Sequence, residues 1–405
     1  MDRLEKEYNE WLENVVIPEE DTDKLREDLK NELLFLSNMS VEEYTLYRKY
    51  LEIQKKYPIH DSNPFFTMEN PYTELNIIKN NIWRPESPED YLKLQPEVIW
   101  TMEDKDMTSI WTVLRIFCST MLNNSNIGRN LRFVVRDSLT GKYLGVLCCS
   151  SDFMDLTPRD NYIGWSRDIK TTQKMINHTT IGSTIVPTQP LGFNYVGGKL
   201  LALLTISKVT EEAWNKRYGD KLVAYTTTSL YGSFSQYNGL KYWSKRGHSA
   251  GSIKFEPSQE TVKRVRNWLM IHHNKKYWEW YHAKNEQGLP YKRDHKQRSL
   301  SFAYRQLGIT KEYFETNHNR GIYFCPLFNN TCEFLRKEIG IDDLKRRFDN
   351  SIEHLVDIWK TKYASKRVKN LIKNNKWNDD VLFYDGMIGK DWKKVKEMYL
   401  IDVGR

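Results

Sequence analysis

The sequence predicts a mixed α/β (α+β) fold, with a helical N-terminal arm and a helical, basic C-terminal region around a mixed sheet. Three observations predict this. Between residues 131 and 251, short β-branched runs alternate with apolar segments of helical spacing. The first 56 residues have helical periodicity, and basic residues concentrate in helical segments after Pro257.

The chain is predicted to divide into four parts. Residues 1–60 form a helical arm, with helices at Leu4–Val15, Thr22–Leu36 and Val41–Lys56. Residues 61–105 form an irregular connecting segment, residues 106–256 a catalytic core, and residues 257–405 a basic, mostly helical region that completes the core. No apolar run reaches the roughly 18 residues of a membrane span, and the N-terminus is acidic. We therefore expect a cytoplasmic protein with neither a secretory signal nor a membrane partner.

The core is predicted to begin with a helix, Met107–Leu122, and a strand hairpin, Leu131–Arg136 with Tyr143–Phe153. The elements predicted after the hairpin are a strand at Thr180–Thr188, a helix at Leu200–Val209, a strand at Lys221–Thr227 and a helix at Ser235–Lys245. A strand that follows another through a helical connection pairs with it in parallel. We therefore expect the strands around Thr180 and Lys221 to be parallel neighbours.

The segment Pro187 to Lys199 joins a strand to a helix and ends in Gly197-Gly198-Lys199. Backbone N–H groups at a helix start have no intrahelical partner, and the helix dipole makes that end positive. Two glycines let a phosphate approach the backbone, and Lys199 adds a positive charge. The turn therefore predicts a site for an anionic cofactor such as a pyrophosphate; the alternative is a tight strand-to-helix turn without a ligand. Its spacing matches neither a P-loop nor a dinucleotide-binding fingerprint.

This order of elements resembles the GNAT acyltransferase fold. In that family a hairpin precedes a strand that ends in Val-Pro, then a Gly-rich loop holds the pyrophosphate of coenzyme A, and a helix, a strand and a Tyr-containing helix follow. Val186-Pro187 and Asn194 to Lys199 correspond to the strand end and the loop. The resemblance implies acyl-CoA or a related acyl donor, held by Val186, Asn194, Gly197, Gly198 and Lys199.

A narrower resemblance covers about residues 130–330. Its motifs are Tyr162-Ile163-Gly164-Trp165-Ser166, Trp214 with Tyr218-Gly219, Thr226-Thr227-Thr228-Ser229-Leu230-Tyr231-Gly232, Tyr237 with Trp243, and Gly321-Ile322-Tyr323-Phe324-Cys325-Pro326-Leu327. These resemble the family that contains the A-protein of the Druantia anti-phage system and its phage-borne Mom-like relatives. The latter are regarded as GNAT-type enzymes that add a carbamoylmethyl-type group to adenine in phage DNA, so that the DNA escapes restriction.

Five residues are candidates for chemistry. Ser229 follows a strand at the carboxyl edge of the parallel pair, where open α/β sheets place ligands. Asp168 and His248 are candidate bases; the alternatives are a surface carboxylate beside Arg167 and a cation at a helix end that offsets the helix dipole, respectively. The GNAT resemblance implies that Tyr237 or Tyr242 protonates a leaving thiolate, the alternative being a core position for both. No histidine or cysteine has the spacing of a metal ligand, so we expect no metal.

Charge is unevenly distributed along the chain, whose net charge is +8. Residues 1–50 carry 14 acidic and 7 basic residues, whereas residues 261–310 carry 11 basic and 3 acidic residues. Cations interleaved with aromatics suit nucleic acid, because cations neutralise phosphates and aromatics stack on unpaired bases. The residues predicted to contact DNA, or alternatively RNA, are Arg264, Arg266, Lys275, Lys276, Trp278, Lys292, Arg293, Lys296 and Arg298. A solvated helix with its aromatics in the core is the alternative.

The leading functional hypothesis is a GNAT-type, Mom-like DNA-modifying transferase that acts on a base amine, with adenine favoured. If phage-encoded, it would act in the bacterial host cytoplasm as an anti-restriction enzyme. The runner-up is a non-catalytic nucleic-acid-binding component of a defence system or of phage replication or transcription. A small-molecule N-acetyltransferase is a third reading, which leaves the basic segment unexplained.

Overall fold

The computed structural model describes residues 3–56, 73–119, 128–192, 194–229, 235–249, 255–286, 288–290, 295–315 and 320–403. It contains two compact units. The first consists of Met1–Tyr44 with Ser252–His318, and the second of Thr45–Gly251 with Asn319–Arg405.

The described residues form helices and strands throughout the chain. The helices are α1 (Arg3–Asn14), α2 (Thr22–Ser37), α3 (Val41–Lys56), α4 (Thr73–Asn80), α5 (Lys105–Phe117), α6 (Thr157–Ile163), α7 (Gly197–Leu204), α8 (Lys208–Tyr218), α9 (Gln259–His272), α10 (Asn274–Tyr281), α11 (His295–Gln306), α12 (Thr331–Leu335), α13 (Ile352–Trp359), α14 (Ser365–Asn374) and α15 (Trp392–Val403). The strands are β1 (Pro96–Trp100), β2 (Asn130–Asp137), β3 (Tyr143–Ser151), β4 (Thr179–Pro187), β5 (Ala224–Thr228), β6 (Ser244–His248) and β7 (Gly321–Pro326). Short 3₁₀ or π turns occur at Pro88–Lys93, Asp168–Thr172, Met175–His178, Lys311–Tyr313, Lys360–Ala364 and Tyr384–Met387.

The first unit is helical. Helix α2 begins at Thr22 because the side chain of Asp21 accepts hydrogen bonds from the N–H groups of Asp23 and Lys24. Its buried leucines recur at helical spacing, and α2 packs against α9. Helices α10 and α11 also pack against α9. The unit is therefore held together by the buried stripes of these helices.

The second unit contains a seven-stranded sheet in the order β1-β2-β3-β4-β5-β7-β6. Neighbouring strands are antiparallel except β4 and β5, which are parallel. Alternate residues of the sheet face two apolar clusters: Val134 and Val146 belong to one with α5, whereas Phe133 and Leu147 belong to the other with α7. Both faces of the sheet are thus covered.

Most of the predicted elements are confirmed. The mixed sheet, the three N-terminal helices, the β2–β3 hairpin and the parallel pairing of β4 with β5 all occur. Among the described residues, no helix is long and apolar enough to cross a bilayer.

The predicted helix at Ser235–Lys245 is wrong. Residues 236–239 and 241–242 form turns, and the chain then enters β6. Gly239 and Tyr242 have positive φ angles of 62° and 74°, which a right-handed helix does not accommodate. Pairing of Ser244–His248 with β7 replaces the helical hydrogen bonds. Gly247 lies at a β-bulge in this pairing.

Two other boundaries differ from the prediction. The segment predicted to be irregular contains α4, the Pro88–Lys93 turn and β1. Strand β1 pairs with β2 over all five of its residues, and this nonlocal contact cannot be predicted from such a short segment. The helix predicted at Leu200–Val209 ends at Leu204, and Ser207 precedes a second helix, α8.

Candidate functional site

The candidate site begins where the parallel strands separate. Strands β4 and β5 pair only from Thr179 to Ile181 and from Ala224 to Thr226. Beyond this point the hydroxyl of Thr227 donates to the carbonyl oxygen of Gly182 at 3.0 Å. Ligands of open α/β sheets bind at this carboxyl edge, and the loop after β4 leads into α7.

The two glycines at the start of α7 are required for different reasons. A β carbon on Gly197 would lie 2.7 Å from the β carbons of both Leu191 and Pro187. A β carbon on Gly198 would lie 2.5 Å from the side-chain oxygen of Gln236. Gly197 is therefore needed to pack the loop, whereas Gly198 leaves a notch that Gln236 enters.

Gln236 connects this notch to the sheet. Its side-chain amide lies 3.4 Å from the carbonyl oxygen of Ile185 in β4 and 3.1 Å from the hydroxyl of Tyr237. The predicted cofactor residue Val186 is the next residue of β4 and is partly buried. The sequence analysis does not identify Gln236 as a site residue, because it predicts a regular helix over residues 235–245.

Lys199 is the charged group of the turn. Its ammonium group donates to the backbone carbonyl oxygens of Gln236 and Asn238, at 3.1 and 2.6 Å, and lies 5.2 Å from the ring centre of Tyr363. Burial lowers the pKa of this amine. Among the described residues, Lys199 forms no ion pair with a carboxylate. Its charge is therefore met by two carbonyl dipoles and the face of one aromatic ring.

Asn194 holds the loop in place from inside the protein. It is 1% exposed, and its side-chain N–H groups donate to the hydroxyl of Tyr91 at 2.6 Å and to the carbonyl oxygens of Pro190 and Asn378. Its side-chain oxygen accepts the N–H of Asn378 at 2.9 Å. The geometry gives this side chain a positioning role, since both of its N–H groups are already bonded within the protein.

Tyr237 lies beside the notch. Its hydroxyl is 3.4 Å from that of Thr227, and its ring packs against Trp243 and Tyr323. Burial raises the pKa of the phenol, which therefore stays protonated at neutral pH. Tyr323 in turn donates to the side chain of Asn238 at 2.6 Å. Tyr237 is thus the predicted catalytic residue that the fold brings to the Gly198–Lys199 turn.

Ser229, Tyr242 and His248 have other surroundings. Ser229 is buried, and its hydroxyl oxygen accepts the N–H of Gly321 at 2.9 Å, which ties β5 to β7. The hydroxyl of Tyr242 is 2.9 Å from Nε2 of His354, and its ring stacks on Phe348 at 3.7 Å. His248 is exposed at the end of β6. Among their described contacts, these three residues do not reach the notch.

A buried carboxylate near this region is Asp152 rather than Asp168. Asp168 is exposed and accepts a hydrogen bond from Gln173. Asp152 follows β3, pairs with Arg159 at 2.6 Å and accepts the hydroxyl hydrogen of Thr226 at 2.8 Å. The side chains of Asp152 and Arg159 are both fully buried. No local sequence pattern indicates this pair, because its burial arises from packing of α6 on β6 and β7.

Two of the predicted nucleic-acid residues of the first unit are neutralised by carboxylates. Arg264 pairs with Glu20 and Asp28 at 2.8 and 2.7 Å, and Lys296 pairs with Glu256. Three exposed cations lie over aromatic rings: Arg266 over Tyr281, Lys275 over Tyr8 and Lys276 over Phe302. Arg298 is exposed, whereas Lys292 and Arg293 lie outside the described residues.

Trp278 is 5% exposed and packs edge-on against Tyr8. The expectation that its ring stacks on a base is therefore not supported by its position. An amphipathic helix buries its aromatic face, and the sequence pattern alone does not distinguish that role from base stacking.

Comparisons with known proteins add a family match. The family model described as Druantia protein DruA matches residues 47–337. The chain is also similar to the Druantia protein DruA of Escherichia coli (strain UMEA 4076-1), with 29% identity over 163 residues. This alignment covers 36% of the present chain and 40% of that protein, so the chain spans less than half of its relative. No solved structure matches the chain.

Proposed function

The chain belongs to the Druantia protein DruA family, and from this premise we propose that it is a nucleic-acid base-modifying transferase. The proposed reaction transfers an acyl- or carbamoylmethyl-type group from an anionic donor to a base amine. Adenine in DNA is the favoured acceptor, by the resemblance to Mom-like enzymes. An anti-phage or anti-restriction role follows from the same resemblance.

One observation carries the proposal: Gly198, Lys199 and Tyr237 lie together where β4 and β5 separate. The order of hairpin, Val-Pro strand end, Gly-rich loop, helix and parallel strand agrees with what the GNAT resemblance implies. The Tyr-containing helix of that pattern is replaced by a turn and β6.

The residues present fit a pyrophosphate-bearing donor such as acyl-CoA. Gly197 donates its N–H to Leu191, so the positive charge comes from the next N–H groups of α7 and from the ammonium group of Lys199, which has no carboxylate partner among the described residues. The side chain of Gln236 enters the space beside Gly198 and is held by hydrogen bonds to β4 at 3.4 Å and to the hydroxyl of Tyr237 at 3.1 Å, which a ligand at this position would replace. The donor would supply the transferred group, and the chain would orient it. Tyr237, protonated and buried, would hold a proton at its hydroxyl oxygen.

The test is nucleoside mass spectrometry of DNA from cells that express the protein, together with its cognate replicon. Wild type is expected to produce a new nucleoside, and Gly198→Asp to abolish it by placing negative charge at the anion site. Gly141→Asp is the matched control. Gly141 lies in the β2–β3 turn with open space around it and a φ of 69°, which Asp tolerates better than most residues.

Unchanged nucleosides in several hosts and in the cognate replicon would rule the proposal out. Equal loss in both variants would indicate a general folding defect. Modified RNA without modified DNA would redirect the proposal to RNA.

A second candidate is a non-catalytic nucleic-acid-binding component of a defence system. The observation that favours it is the turn at 236–238, which occupies the Gly198 notch and satisfies Lys199. This candidate predicts salt-dependent nucleic-acid binding that Gly198→Asp leaves unchanged. It also predicts no thermal stabilisation by excess coenzyme A; a shift of several degrees would count against it.

A further inference from the structure

A row of lysines lies along the helical segment formed by α13, the Lys360–Ala364 turn and α14. It consists of Lys362, Lys366, Lys369 and Lys373, whose spacing of four, three and four residues places them on one helical face. All four are exposed, and none forms an ion pair among the described residues. Residues 358–378 contain no Asp or Glu. The lysine row is therefore a line of uncompensated positive charge.

The opposite face of this segment is fixed in the protein core. Ala364, Val368 and Leu371 are 1–2% exposed and belong to the large apolar cluster. The segment cannot rotate about its axis without exposing them, so the lysine row points persistently outward.

The lysine row adjoins the loop that leads into α7. Arg367 donates through Nε to the carbonyl oxygen of Asn194 at 2.8 Å, and its guanidinium lies 5.2 Å from the ring centre of Tyr195. Tyr195 is 69% exposed and has a φ of 53°. Tyr363, on the same segment, donates to Gly239 and lies under Lys199. A large exposed ring thus lies beside Arg367 of this segment, in the loop that leads into the candidate site.

We propose that the lysine row binds the phosphate backbone of the nucleic-acid substrate and that Tyr195 stacks on a base next to the candidate site. The identity of this polyanion rests on the proposed function. From Lys362 to Lys373 the helix rises about 16 Å. A strand of B-DNA carries a phosphate every 3.4 Å or so, and four lysines suit a run of about four or five phosphates.

Some cations elsewhere in the chain are paired with carboxylates, whereas the lysine row has no such partner among the described residues. Arg264 is neutralised by two carboxylates, and Lys394 of α15 pairs with Glu397 in its own helix. Like charges three and four residues apart on a helix are unfavourable unless a counter-charge is supplied. A polyanion supplies it and gains from the release of its own counterions.

The test measures binding of a fluorescein-labelled 20-nucleotide DNA, single-stranded and as a duplex, by anisotropy over a salt series. The row variant replaces Lys362, Lys366, Lys369 and Lys373 by Gln. The control replaces Lys390, Lys393, Lys394 and Lys396 by Gln, an identical loss of charge in and next to α15. Circular dichroism and thermal melting check that both variants are folded.

The row variant is expected to bind at least tenfold more weakly at low salt. For the duplex, the slope of log K against log salt is expected to fall by about 3 to 4, near 0.9 per phosphate contact. The control is expected to change affinity less than threefold. Tyr195→Asn keeps a residue that tolerates positive φ and is expected to weaken single-strand binding more than duplex binding.

Equal affinity in the row variant and the control would overturn the inference, as would wild type that binds no DNA. Nucleoside analysis of the same variants separates this result from the proposed function. Modified DNA with no dependence on the row would leave the proposed function standing and remove the inference. Row-dependent binding with unmodified nucleosides would leave the inference standing and remove the proposed function.

Discussion

The ammonium group of Lys199 lies 2.6 Å from the backbone carbonyl oxygen of Asn238. This contact joins the first turn of α7 to the segment between β5 and β6. The loop that supplies positive charge is therefore bonded to the turn that covers it. Because the side chain of Gln236 in this turn fills the space beside Gly198, a ligand at Gly198 must displace it.

Substitution of the two glycines should show that Gly197 is needed for packing of the loop and Gly198 for access to the site. Gly197→Ala is expected to destabilise the protein by about 1 to 3 kcal/mol, because its new methyl group meets two fixed β carbons at 2.7 Å. Gly198→Ala meets the end of a flexible glutamine at 2.5 Å and the β carbon of that glutamine at 3.1 Å, and is expected to cost less than Gly197→Ala, about 1 kcal/mol. Urea denaturation of both variants measures the difference, and equal costs would contradict this account of the turn.

The two tyrosines predicted as catalytic should differ in activity. Tyr237→Phe removes a buried hydroxyl beside Gln236 and is expected to lower nucleoside modification at least tenfold, as loss of a positioned proton donor does. Tyr242→Phe removes a contact to His354 away from the notch and is expected to keep most of the activity. Modification rates of the two variants decide this, and a reversed order would assign the role to Tyr242.

The buried pair of Asp152 and Arg159 should dominate local stability. Arg159→Met leaves the carboxylate of Asp152 without its cation and is expected to cost roughly 3 to 5 kcal/mol. Asp152→Asn in the same chain should recover part of this loss. Arg84→Met breaks an exposed pair with Asp379 and is the control, at about 1 kcal/mol or less. Denaturant unfolding measures all three, and a small cost for Arg159→Met would show that the site relaxes.

Lys49 should give the protein a characteristic pH dependence. It is fully buried, and burial together with Arg115 lowers its pKa to about 8, although Glu52 opposes this. Above that pH the folded protein has released the proton, whereas the unfolded chain keeps it up to a pKa of about 10.4. Unfolding then takes up a proton, so the free energy of unfolding rises with pH over this interval, by at most about 1.4 kcal/mol per pH unit.

Lys49→Met tests this by removing the group while Glu52 keeps its contact with Arg115 at 2.6 Å. Between pH 7.5 and 9.5 the wild type should gain stability relative to the variant. Taking the difference between the two proteins cancels the titration of other groups. Parallel curves would mean that Lys49 titrates normally.

The sequence predicted those parts of the fold that follow from a local pattern or from the order of elements. The Gly-Gly-Lys helix start is a local pattern, and the parallel pairing of β4 with β5 follows from their helical connection; both were predicted correctly. The Druantia family resemblance is also confirmed, over residues 47–337. The Mom-like activity and the acyl donor stay predictions.

The features missed depend on tertiary packing. The segment Ser244–His248 becomes a strand because it pairs with β7, more than 70 residues later in the chain. Asn238-Gly239 is a turn signal that the helix prediction overlooked. Gln236 meets Gly198, and Asp152 meets Arg159 and Thr226, only through tertiary packing, which periodicity does not encode.

The most direct test of the central claim is calorimetric titration of the purified protein with coenzyme A and acetyl-CoA. The account predicts binding to wild type and to Gly141→Asp, and at least tenfold weaker binding to Gly198→Asp. Absence of binding to wild type, or equal binding to all three proteins, would contradict an anionic cofactor site at the start of α7.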